Sequence, residues 1–188
     1  IQISLLLLAF LLIFFTYFLN LKKKQPSTNL DQIKIVKPDK EKGKVVNTFV
    51  DVQYSGLDKN GNRFVIDSKY AHFEINQPNI IKMEEVLCIF YFKDQTSMTV
   101  RSSHGIYNNV TDDMEFKDQV KMTYFESVLF ADKASFMNMK NVLLVEGNVK
   151  TSSPEGKLQA DRLDFDLNSK QLKISMDSNE KVNIKVNY

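Results

Sequence analysis

The chain has 188 residues, 43% of them hydrophobic, with 25 Lys plus Arg against 23 Asp plus Glu and a net charge of +2. Both signs are interspersed, so no electrostatic footprint for nucleic acid is present. One cysteine excludes an internal disulfide framework and a multi-cysteine metal site, and two histidines do not make a multi-histidine site. The averages hide an asymmetry: residues 1–21 contain no Asp, Glu, Lys, Arg or His, and every charged side chain lies in Lys22–Tyr188.

Ile3–Leu21 is an apolar run of about 19 residues, the length that crosses a bilayer hydrocarbon core as a helix. The spacing predicts an uncleaved transmembrane helix over residues 1–21. A cleaved signal peptide has a shorter apolar region, about 7–15 residues, and ends in small residues. Here the run ends Thr16-Tyr17-Phe18-Leu19-Asn20, without an Ala-x-Ala pattern. Cys88 is too distant to be a lipoprotein anchor. Gln2, Ala9 and Thr16 recur every seven residues and form one stripe of small or polar side chains, a candidate surface for packing on another helix in lipid. Lys22, Lys23 and Lys24 follow directly, which by the charge rule alone would put that side in the cytoplasm. The chain starts at Ile1, so the opposite flank cannot be counted and the rule is set aside.

Residues 22–44 read as a linker. The stretch QPSTNLDQIKIVKPDKEKGK (Gln25–Lys44) is charged and poor in apolar residues, with Ile33, Ile35 and Val36 as one short strand before Pro38 and Gly43. From Val45 the pattern becomes strand-like and defines a domain over 45–188. Val50, Val52 and Tyr54 alternate with Asp51 and Gln53, and Asn60-Gly61 is a hairpin turn signal. Asp58-x-Asn60-x-Asn62 has the spacing of a calcium loop. Arg63 stands where that loop needs glycine and Lys69 where it needs Glu, so a turn is expected.

The domain repeats itself. Phe64–Phe73, Met98–Tyr107, Ser127–Phe136 and Gly156–Phe165 superimpose, and their closing aromatics Phe73, Tyr107, Phe136 and Phe165 are 34, 29 and 29 residues apart. Ser68, Ser102, Ala131 and Ala160 share that spacing, as do Ile66, Val100, Leu129 and Leu158. Val86, Val120 and Val149 mark a second recurrent position, at the expected end of a second strand pair. Each unit is read as strand, short turn, strand, turn, strand. Alternation is cleanest in Lys181–Tyr188, where Val182, Ile184, Val186 and Tyr188 share one face. Period two over many runs predicts an all-β fold, an antiparallel sheet folded over as a jelly-roll, sandwich or open V.

Chemistry is sparse. His72 and His104 have no triad partners in order and are expected on the surface. Glu84-Glu85 and Asp112-Asp113 are adjacent pairs, which on a strand point to opposite faces; both are expected at turns or strand ends. Cys88 lies in the apolar run Val86–Phe90 and is expected to be a buried, inert thiol. No phosphate loop, dinucleotide fingerprint or metal-ligand spacing occurs. The expectation is a protein that is not an enzyme and carries no cofactor or metal.

The segments SKYAHF, SSHGIY, ADKASF and ADRLDF behind an apolar helix resemble the LptC family of lipopolysaccharide export. Tyr54–Phe73 is similar to the start of that family's domain, and Val145–Ile174 to the repeat shared with LptA and the N-terminal domain of LptD. The resemblance implies an open, twisted β-jelly-roll in the periplasm. It implies a single-pass helix in the inner membrane beside the subunits of an ABC transporter, and lipopolysaccharide as the ligand. Acyl chains would run along an apolar groove, for which the repeat frame nominates Ile66, Phe73, Val86, Phe90, Val100, Tyr107, Phe116, Val120, Met122, Leu129, Phe136, Val149, Leu158 and Phe165. An LptA-type periplasmic protein would receive the lipid through strand pairing, with Val182, Ile184, Val186 and Tyr188 as the candidate edge. Two other readings stay open: a soluble LptA-like bridge with a cleaved signal, and a structural β-repeat protein without ligand.

Overall fold

The computed structural model describes residues 34–36, 46–169, 171–176 and 182–186. The expected helix over 1–21, with Gln2, Ala9 and Thr16, lies outside them, as do Tyr188 and the linker apart from 34–36. Among the described residues no helix is long and apolar enough to cross a membrane.

Among the described residues eleven strands form one antiparallel sheet: β1 (Lys34–Val36), β2 (Val46–Leu57), β3 (Arg63–Glu74), β4 (Ile80–Tyr91), β5 (Ser97–Asn108), β6 (Asp113–Tyr124), β7 (Ser127–Met137), β8 (Val142–Ser153), β9 (Gly156–Asp166), β10 (Gln171–Ser175) and β11 (Asn183–Val186). Neighbours in sequence are neighbours in the sheet from β1 to β10, and β11 returns to pair with β9. The all-β antiparallel expectation holds. The expected division of each unit into short strands does not. Each unit is one hairpin of two strands 11 or 12 residues long. Val86, Val120 and Val149 sit in the middle of β4, β6 and β8, not at strand ends.

The reason is that the long strands bend. Positive φ angles occur at Asp51 (53°), Glu85 (52°), Asp118 and Gln119 (60° and 56°), and Gly147 and Asn148 (78° and 49°). These positions lie mid-strand, just before Val52, Val86, Val120 and Val149. In β6 and β8 the pairing shifts register there, the signature of a bulge that adds a residue and turns the strand. Glu84 and Glu85 therefore sit at a mid-strand bend, contrary to the turn or strand-end expectation, whereas Asp112 lies in a turn and Asp113 opens β6.

The bends line up into one fold line across the sheet. On its inner side Val52 faces Ser68, Ser68 faces Val86, Val86 faces Ser102, Val120 faces Ala131 and Val149 faces Ala160. Valine alternates with a small residue from β2 to β9, and all of these but Val52 are buried. A second row of small residues follows at Ala71, Gly105 and Ala134. A Cβ on Gly105 would stand 3.0 Å from Val86 Cγ2. Small side chains let the two sides of the corner approach. At Gly147 a side chain would both require an unfavourable φ and run into Asp132. On the outer side, polar pairs bind neighbouring strands: Lys69 to Asp51 at 2.7 Å, His104 Nδ1 to Asp118 at 2.8 Å, and Asn148 to Asp132 at 2.7 Å.

The fold line divides the sheet into an upper leaf (52–68, 86–102, 120–131, 149–160, with β11) and a lower leaf (46–50, 70–84, 104–117, 133–146, 162–166, with β1 and β10). Their inner faces meet with an offset. Tyr54 and Phe64 of the upper leaf pack on Tyr107 of the lower, at 4.9 and 6.1 Å between ring centroids, and upper Phe90 packs on lower Phe136 at 5.8 Å. Upper β2–β3 thus faces lower β5, and upper β4 faces lower β7.

Turn residues clasp one mouth of this roll. Lys59 N donates to Asn138 Oδ1 at 2.8 Å, and Asn60 Nδ2 donates to Asn141 Oδ1 at 3.0 Å. Asn138 Nδ2 reaches Thr111 O at 3.0 Å and Asn141 Nδ2 reaches Asn168 Oδ1 at 2.9 Å. Asp58 is turned inward on its own turn, accepting from Asn60 N, Asn62 N and Asn62 Nδ2. The expected turn is therefore present, and among the described residues no group of acidic, His or Cys side chains could hold a metal.

The fold line should tolerate no added volume. Ala131→Leu is expected to cost about 1–3 kcal/mol by overpacking the corner. Ser68→Ala at the same corner is expected to be neutral or stabilising, since Ser68 Oγ is buried without a hydrogen-bond partner among the described residues. Urea unfolding midpoints of the two variants check both expectations.

Candidate lipid groove

The inner faces of both leaves are apolar because strand alternation sends Ile66, Val86, Phe90, Val100, Met122 and their repeats to one side of an open sheet that is folded over. Ten of the fourteen nominated groove residues are buried: Ile66, Val86, Phe90, Val100, Tyr107, Phe116, Val120, Met122, Phe136 and Val149. Leu129 and Leu158 are partly buried against that cluster. Phe73 and Phe165 are half-buried and, by alternation with buried Ala71 and Leu163, share its face.

Burial is graded along the sheet. The middle is sealed, with Phe64, Val120 and Val149 at 0% exposure. At the N-terminal end, Phe49 stacks on Phe73 with centroids 5.8 Å apart, and both remain half-buried, as does Ile81. At the C-terminal end Leu143, Leu158, Leu167, Ile174 and Met176 pack partly on the core. The offset of the leaves explains the gradient, since each leaf overhangs its partner at one end. Leu163 replaces the small residue of Ala71, Gly105 and Ala134 in the last repeat.

Burial, with a smaller contribution from Asp67, pushes the Cys88 thiol above its usual range, which keeps it protonated. Burial also raises the Tyr107 hydroxyl, helped by its donation to Asp112 Oδ1 and by Tyr54. His72 is half-buried and His104 is exposed. The arrangement can shelter hydrocarbon, whose transfer from water is worth about 0.8 kcal/mol per CH₂.

Of the proposed edge residues, Val182, Ile184 and Val186 fall on and beside β11. Asn183, Ile184, Lys185 and Val186 pair with Gln159, Leu158, Lys157 and Gly156 and are exposed. Val182 is half-buried just before the strand. The Asn138–Asn141–Asn168 clasp was not visible in the sequence. Its only sign there is asparagine recurring in turns, which turns favour for local reasons alone.

Comparison with known proteins bears on this architecture. A family model described as lipopolysaccharide-assembly, LptC-related, matches residues 5–179. The chain belongs to the LptC family. Among solved structures it is similar to LptH, the LptA homologous periplasmic component of the conserved lipopolysaccharide transport device from Pseudomonas aeruginosa. That likeness has 8% identity and a TM-score of 0.32, over 76% of this chain and 95% of that one. No curated protein matches the chain. As an LptC-family chain it is a component of lipopolysaccharide transport.

The burial gradient sets an expected contrast. A charge at Val120 is expected to cost about 3–5 kcal/mol, as an uncompensated buried ion. Leu158→Glu, at the partly exposed end, is expected to cost less, about 1–2 kcal/mol. Thermal unfolding of the two variants measures the difference.

Proposed function

We propose that this LptC-family chain is a membrane-anchored carrier that takes lipopolysaccharide from an inner-membrane ABC transporter and passes it to an LptA-type periplasmic protein. Residues 1–21 are the single-pass anchor, with Gln2, Ala9 and Thr16 toward the transporter's helices, residues 22–44 the tether, and residues 45–188 the periplasmic jelly-roll. The acyl chains travel on the inner faces of the two leaves. The C-terminal edge, β11 with Val182 and Tyr188 around it, receives the partner's strand, because an exposed edge offers unpaired backbone donors and acceptors. Handover between non-covalent sites needs no catalyst, in keeping with an interior of hydrocarbon side chains and a protonated thiol.

The observation that supports this reading best is the continuous apolar inner face that is half-exposed at both ends, in a chain of this family. One observation favours a ligand-free structural role instead: the sealed middle, with Val120 and Val149 fully buried. Carriage therefore requires the leaves to part around β4–β7 as lipid passes. Tyr107 and Phe136 are too deep for a charge to test the groove without unfolding the domain; Phe73, Leu158 and Phe165 are not.

A photo-crosslinking residue at Leu158 or Phe73, in the full chain with its transporter and ATP, is expected to capture lipopolysaccharide. The same residue at Ser152, on the outer face of the upper leaf, is expected to capture none. Equal capture at inner and outer positions, or none at either, overturns the carrier role.

A further inference from the structure

The two leaves differ in charge on their outer faces. On the lower leaf, four cations are neutralised within the sheet, Lys82 by Glu74, Lys117 and Lys133 by Glu115, and Arg162 by Glu146 and Asp164, while Lys173 stands opposite Asp164 in the register. The Lys69–Asp51 and His104–Asp118 bridges lie at the fold line. On the upper leaf the register sets Arg101 beside Lys121, Lys121 beside Phe130 and Phe130 beside Lys150, in one row across β5–β8. All four are exposed, and Lys121 Nζ lies 5.8 Å from the Phe130 ring centroid. Lys157 and Lys185, paired across β9 and β11, extend the positive face. On the upper-leaf strands the outward acid is Asp67 on β3, which accepts from Gln53; Asp94, Glu126 and Glu155 lie in the turns, and Asp118, Asp132 and Asp161 stand along the fold line. At the rim, the β6–β7 turn projects Phe125, 70% exposed, against Tyr124.

We infer that this upper-leaf face, centred on Arg101, Lys121, Phe130 and Lys150 with Phe125 at its rim, docks on the surface of an anionic lipid bilayer. The argument is charge complementarity. Four strands place the cations in a single row about 14 Å long across the sheet. A row of like charges with aromatic side chains among them suits a fluid layer of negative headgroups, where Lys and Arg are attracted electrostatically and aromatic rings sit at the interface. Docking would fix the orientation of the domain relative to the bilayer, and it does not depend on what the interior carries.

The chain has no tryptophan, so Phe125→Trp gives a single fluorescent reporter at the rim. The full chain is reconstituted in vesicles of neutral phosphatidylcholine and in vesicles with added phosphatidylglycerol. Flotation with the neutral vesicles reads the N-terminal anchor separately. The expected result is a blue-shifted Trp emission only with the anionic lipid, reversed by about 0.5 M NaCl. Lys121→Glu with Lys150→Glu is expected to abolish the shift while the far-UV spectrum stays unchanged, and each lysine changed to Gln should weaken docking about fivefold. Identical emission in both vesicles overturns the inference. So does a shift that survives the charge reversal, or one produced by inorganic phosphate or an acidic polymer without vesicles.

Discussion

The architecture depends on one constraint: strands of 11 or 12 residues must turn a corner together, at the same place, without losing their ladder. Backbone conformation supplies the turn, through residues held at positive φ and through bulges that add a residue in β6 and β8. Side-chain size makes the corner closable. Valine on every second strand is met by Ser or Ala on the strands between, and the small residues of Ala71, Gly105 and Ala134 clear the next layer. Without that alternation the leaves could not approach closely enough for Tyr54, Phe64 and Phe90 to reach Tyr107 and Phe136.

The offset between the leaves then links fold to function. Two leaves stacked in register would bury everything equally. Displaced by about three strands, they seal the middle and leave one apolar overhang at each end. A molecule with a long hydrocarbon part meets half-buried aromatic and aliphatic side chains at either end, and a packed core between them. The asparagine clasp ties the β2–β3 turn to the β7–β8 turn, so parting of the leaves is opposed there by hydrogen bonds as well as by packing.

The repeat was legible because three constraints act on fixed positions of each unit: the small residue at the corner, the aromatic that fills the space below it, and the valine after the bend. What those positions do was not legible. Val86, Val120 and Val149 read as strand ends, because the polar residues before them, Glu85, Asp118-Gln119 and Gly147-Asn148, look like turns. They bend a strand without ending it, since hydrogen bonding resumes on both sides. Similarly, Glu84-Glu85 read as a turn pair and lies mid-strand. The inner-face residues could be nominated from the frame because alternation fixes which side chains share a face.

The all-β class, the antiparallel hairpins, the family and the list of apolar positions can be read from the chain alone, because period-two patterning and repeat spacing are local properties. Which of those positions are sealed and which are open, and how the outer charges divide between the two leaves, emerge only on folding. Both follow from where the sheet folds and how far one leaf slides over the other. Those quantities are set by packing between strands far apart in the chain, and no single repeat contains them.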